Sequence, residues 1–302
     1  MKLVTCFAAV LSTILLACGG GEVVEDESEL TVVASFLPIY LLTENVVGTT
    51  EGITVDVLVS PDAGDIHNYQ LVPGDLVKLN RADLVVLNGL DLEGFLADAL
   101  ADLHAGTKIV TAVDGIEPLP LTYREHGGEH DGGWDPHLWV SPHNAARMTE
   151  NIRDALVELD PAHADAYLTN SAGFIDRLKT LFEKMRDTAE GWPNRAIVTN
   201  HDAFGYLARD LGLEIAGVVM PTPGASPSAG EMLRLVGMIR DGGAAAIFVE
   251  PGYPDGSARS VARDAGLPVF TLDPCTTGGT NPDRFLEVME QNLENLDAAL
   301  GR

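Results

Sequence analysis

From residue 30 onward, short apolar runs alternate with stretches whose apolar positions recur at helical spacing. Segments 30–34, 54–59, 84–87 and 108–113 are brief and rich in Val, Leu and Ile, which predicts buried strands. Between them, 38–47, 73–80 and 93–103 carry polar faces and predict helices. The second half repeats the plan, with strands predicted at 195–199, 214–220, 245–249 and 269–272. Helices are predicted between them at 203–211, 229–240 and 257–265, and a closing helix at 281–300. This alternation predicts an α/β protein of two lobes, each a mainly parallel four-stranded sheet flanked by helices. No short-period repeat is visible, so the duplication is one of architecture.

Between the halves the pattern changes. An amphipathic helix predicted at 142–159 stops at Asp160-Pro161, and a second runs over 162–190 with only Gly173 inside it and Gly191 at its end. At the usual rise per residue the second helix reaches roughly 40 Å, enough to cross from lobe to lobe. The expected organisation is a lobe over 30–161, a linking helix over 162–190 and a lobe over 191–302. A single stiff linker predicts small lobe motions rather than a wide hinge.

The first residues bear on location. Lys2 precedes an apolar run, 7–16, too short to span a bilayer, and Leu15-Leu16-Ala17-Cys18 resembles a bacterial lipobox. The expectation is a signal peptide at 1–17, a lipid on Cys18 and a small, acidic tether over 18–29. Of the three cysteines, Cys6 would leave with the signal, so Cys275 alone would remain as a thiol and no internal disulfide could form. A formal charge of −26 argues against a nucleic-acid partner, which needs a basic surface.

Candidate chemistry lies at the carboxyl ends of the predicted strands, where open parallel sheets bind ligands. His67, His137, His201 and Asp273 all fall on that kind of edge, in both halves. Three imidazoles and a carboxylate suit a borderline divalent cation such as zinc. Any one of them alone reads as a solvated or capping residue; their shared placement carries the argument. His104, His143 and His163 lie at helix ends and read as surface residues. Cys275, two residues beyond Asp273, reads as a packed small residue, because a ligand thiol would be fragile in an oxidising exterior. A competing reading is a zinc hydrolase, with Asp273 turned away, three histidine ligands and Glu250 as general base. No helical zinc-protease motif supports it.

The ordered segments His67-Asn68-Tyr69, Pro73-Gly74-Asp75, 82–89 with Leu92-Glu93, 135–139, 200–206, Glu250-Pro251 and 272–274 carry a family resemblance. The chain resembles the zinc/manganese-type substrate-binding lipoproteins of bacterial ABC importers (cluster A-I) from about residue 30 to its end. The resemblance implies two lobes on a rigid helix, with a metal bound by His67, His137, His201 and Asp273. It further implies a monomer that docks on an ABC transporter permease and does no covalent chemistry. Manganese-type members commonly carry glutamate at the third position; His201 stands there here and favours Zn2+, with Mn2+ the alternative. Zinc-selective members often carry a long His- and acid-rich loop, represented here by 123–134 with His126 and His130. That loop reads equally as a metal lure or a solvated segment. Proteins resembling this family have also been proposed as adhesins, but nothing in the chain marks an adhesive surface. Protonation of the histidines below about pH 6 is expected to release the metal. Asp65, Asp135 and Asp202 are candidates to orient the rings.

Overall fold

A computed structural model describes residues 30–121, 133–221 and 227–302. The expected signal peptide, lipidation site and tether, and positions 123–132 of the His-bearing loop, lie outside the described residues.

Two four-stranded sheets form, and every strand pairing in them is parallel. The first contains β1 (Leu30–Ala34), β2 (Ile53–Val57), β3 (Leu84–Leu87) and β4 (Lys108–Thr111), in the order β2-β1-β3-β4. The second contains β5 (Ala196–Thr199), β6 (Glu214–Val218), β7 (Ala246–Val249) and β8 (Val269–Thr271), in the matching order β6-β5-β7-β8. Each sheet therefore has a switch point beside its first strand, between β1 and β3 and between β5 and β7, where a ligand crevice is expected.

Side-chain alternation explains how each sheet is covered on both faces. Val32, Ala34, Leu84 and Val86 point into the main core, whereas Val33 and Val85 point to a second cluster. That second cluster includes Leu79 of α2 (Pro73–Leu79), Leu96, and the flanking Leu100 of α3 (Ala97–Ala101). In the other lobe, Ile197, Ala246 and Phe248 face the main core; Val198, Ile247 and Val249 face α7 (Ala229–Gly242) and α8 (Gly256–Ala265).

The main core does not stop at a lobe boundary. It runs continuously through α1 (Leu37–Val47), α4 (Pro142–Leu159), α5 (Ala164–Glu190), α6 (Gly205–Leu211) and α9 (Arg284–Leu300). The long helix α5 buries Tyr167, Ser171, Phe174, Ile175, Leu178, Leu181, Met185 and Ala189, one stripe at helical spacing. Gly173 does not interrupt it. Shared burial of this kind resists wide opening, because parting the lobes would expose apolar area to water.

Local departures from the predicted pattern have local causes. The long helix starts at Ala164 rather than 162, because Pro161–His163 form a 3-10 turn. Residues 93–103 divide into a 3-10 turn, Gly94–Leu96, and the short α3. Predicted strand ends at 58–59, 112–113 and 219–220 donate to the neighbouring strand's end without forming a reciprocal ladder. Their apolar side chains are buried all the same, which is why the pattern read on past the strands.

Candidate metal centre

Each histidine is delivered by a short, heavily hydrogen-bonded turn. His67 sits in a 3-10 turn, Ile66–Asn68, whose N-cap Asp65 accepts the His67 N–H at 3.0 Å and the Asn68 amide at 2.8 Å. His137 closes the turn Asp135-Pro136-His137. The Pro136 carbonyl accepts from Asn88, at the end of β3, and the Asp135 carbonyl accepts from the Tyr206 hydroxyl of the other lobe. His201 lies two residues beyond β5 and donates its backbone N–H to Glu250, at the end of β7. The two residues therefore flank the second lobe's switch point.

The three rings converge. Their ligating atoms lie within 4.8 Å of one another, and the Nε2 atoms of His67 and His137 are 3.0 Å apart. Zinc–nitrogen bonds of about 2.0–2.1 Å in a tetrahedron would set such nitrogens about 3.3 Å apart, so small ring adjustments suffice to admit an ion. On two of the three rings the opposite nitrogen is already engaged. His137 Nδ1 meets Asp135 Oδ1 at 2.7 Å, and His201 Nδ1 meets Glu250 Oε2 at 3.2 Å. A carboxylate on Nδ1 fixes the N–H there and leaves the Nε2 lone pair for a cation.

Burial and neighbouring charge bias the protons. Desolvation, with the other two imidazoles adding to it, holds His67 down to about 3. Burial keeps His137 well below the usual histidine range and pushes Asp135 up to about 7. His201 goes the other way. Burial would lower it, but the hydrogen bond and charge of Glu250, with Asp65 and Asp202, raise it above 6.5.

Of the four predicted site residues, the fold brings three together. Asp273 is not in that group. Its Oδ1 accepts the Cys275 N–H at 2.7 Å, and its Oδ2 lies 3.7 Å from Arg284 Nη2. The ring partner of His201 is Glu250 rather than Asp202, so the carboxylate considered as a general base is engaged with a histidine ring. Asp65 supports the backbone of His67, and Asp135 supports both the ring and the backbone of His137. Cys275 is buried and its thiol is pushed above its usual range by burial, so it stays protonated. His104, His143 and His163 are exposed, as expected.

One participant escaped the sequence reading entirely. Tyr253 stacks on His201, with ring centroids 5.2 Å apart at 19°, and donates its hydroxyl to Asp65 Oδ1 at 3.0 Å. It joins the loops that carry two of the histidines from opposite lobes. Its nearness to Glu250-Pro251 in the sequence was the available signal.

Paired parallel sheets, a continuous long helix and a histidine cluster between the lobes define a two-lobed, rigid-helix solute-binding protein. Residues 32–299 match the family described as zinc-uptake complex component A, periplasmic (ZnuA), and the chain belongs to that family. It is 33% identical over 269 residues to the iron-binding protein YfeA of Yersinia pestis, covering 87% of this chain and 82% of YfeA. It is 28% identical over 307 residues to the manganese-binding lipoprotein MntA of Halalkalibacterium halodurans, covering 98% and 99% of the two chains. Its fold is similar to that of the laminin-binding protein Lmb of Streptococcus agalactiae, described as having adhesin and metal-transporting activity. The TM-score is 0.78 at 26% identity, over 89% of this chain and 99% of Lmb.

Proposed function

We propose that this protein is an extracytoplasmic receptor that captures Zn2+ between its lobes and hands it to an ABC importer permease. The observation that carries the proposal is the convergence of His67, His137 and His201, with two of the three rings oriented by buried carboxylates. Neutral imidazoles of this kind favour zinc over harder cations. Asp273 is the fourth ligand in this reading, supplying the negative charge that the histidines lack. Lobes at 30–161 and 191–302 flank the helix at 162–190, and the shared core limits closure to small adjustments. Lipid on Cys18 would hold the receptor at the membrane, as a monomer. The metal is cargo, so the site must bind and release it intact and needs no general base.

The names of relatives span zinc, iron and manganese, and one observation keeps manganese as the second reading. Asp273 feels the charge of Glu250, the residue that holds the His201 ring, and a carboxylate that joined the histidines would give manganese an oxygen ligand. Calorimetric titration of chelator-stripped protein with zinc and then manganese decides the matter. One tight equivalent of zinc, not displaced by excess manganese, is expected. His67→Ala, His137→Ala and His201→Ala should each weaken binding by orders of magnitude, while His104→Ala and His163→Ala leave it unchanged. Equal losses in both groups, or no tight binding of either metal, would overturn the proposal.

A further inference from the structure

Asp273 has a fixed backbone and a carboxylate turned toward other partners. Asn292 of α9 accepts the Asp273 N–H at 2.8 Å and donates to its carbonyl at 2.7 Å. Asn292 is buried, which limits the access of water to this clamp. Where the carboxylate points is then a matter of side-chain rotamer. Here it faces the Cys275 N–H and Arg284.

Arg284 is itself built into place. Its Nε and Nη2 both donate to the Thr277 carbonyl, at 3.2 and 2.7 Å. Gly278, at φ +106°, packs so closely on the guanidinium that a Cβ would stand 2.5 Å from Nη2. Arg284 also opens α9, the helix that carries Asn292. One helix thus clamps the Asp273 backbone and sets a positive charge before its carboxylate. Among the described residues, Asp273 is the only carboxylate paired with Arg284.

We infer that Arg284 is a positioning residue that governs how readily Asp273 joins the metal, and so sets the preference between zinc and manganese. The inference rests on Asp273 being the fourth ligand. Recruiting it exchanges the Arg284 pairing and the Cys275 N–H bond for a metal–oxygen bond. Zinc is well served by three imidazoles and loses little when the carboxylate stays with Arg284. Manganese depends more on oxygen ligands and loses more. Arg284 therefore acts against manganese.

The test is competitive calorimetry on the chelator-stripped protein with zinc and with manganese. Arg284→Gln, which removes the charge, should raise manganese affinity by up to about fivefold, the scale of a modest ion pair, and zinc affinity by clearly less. Arg284→Lys, which keeps the charge, should retain the wild-type ratio. In an Asp273→Asn background, Arg284→Gln should change neither metal. A simple loss of packing would weaken both metals in every background. Equal shifts for the two metals, or a gain that persists without Asp273, would overturn the inference while leaving the receptor intact. If Asp273→Asn alone affects neither metal while the histidine variants lose binding, the fourth-ligand assignment fails and this inference with it. A crystal structure of the manganese-loaded wild type needs no variant. There the Asp273 carboxylate must have left Arg284, and an unbroken pair would overturn the inference even if Arg284→Gln did not fold.

Discussion

Asp135→Asn separates what the site does for metal from what it costs the fold. Asp135 is buried and holds both the ring and the backbone N–H of His137. Asparagine keeps the shape and an acceptor oxygen but loses the charge. Losing an orienting carboxylate of this kind typically weakens metal binding about 10–100-fold, or about 1.4–2.7 kcal/mol. The metal-free protein should respond in the opposite sense. An ordinary aspartate ionises at 3.8, and here burial moves that to about 7. Between those values the folded state holds a proton that the unfolded chain has released, so stability falls as pH rises through that window. The full difference is of order 4 kcal/mol. Asparagine cannot ionise, so the variant should lose that slope, and near neutral pH its metal-free form should match or exceed the wild type. Urea denaturation of stripped protein from pH 4 to 8, with zinc calorimetry at pH 7.5, measures both quantities. Unchanged zinc affinity, or a metal-free variant several kcal/mol less stable at neutral pH, would refute the reasoning.

Two further outcomes follow from the same geometry. Metal affinity should fall on acidification, because a ligating imidazole must be neutral; since Glu250 holds His201 above the usual histidine range, the fall should begin at a higher pH than an unperturbed histidine would give. Glu250→Gln removes the raising charge and should move the onset to lower pH in titrations from pH 5.5 to 8; an unmoved onset would mean His201 is not the competing site. Tyr253→Phe keeps the ring stacked on His201 but deletes the bond to Asp65 across the lobes. It should cost about 1 kcal/mol of stability and speed metal loss to a chelator, measured by stopped flow; an unchanged rate would show that the bridge does not gate release.

Much of this was legible in the chain because the relevant physics is short-ranged. The stripe from Tyr167 to Ala189 marked α5 without any knowledge of its neighbours, since burial of one helical face repeats every three or four residues. The placement of His67, His137 and His201 after strands was readable because parallel sheets gather ligands at one edge. Element ends were less legible. Leu58, Val59 and Ala112 are as buried as strand residues although they lie beyond the ladders, and apolar content reports burial rather than pairing.

Partner choice was the part that stayed hidden. Asp202 adjoins His201 in the chain, yet Glu250 orients the ring, because β5 and β7 lie side by side. Tyr253 reaches Asp65 across 188 positions, and Asp273 turns to Arg284 rather than joining the histidines. The sequence by itself determined the two-sheet architecture, the long helix between the lobes and the three histidines that the fold brings together. Local sterics and hydrophobic periodicity are written into neighbouring residues. Only the tertiary structure decided which carboxylates hold the rings and which way Asp273 faces. Those choices depend on distances between segments that the chain brings together only by folding.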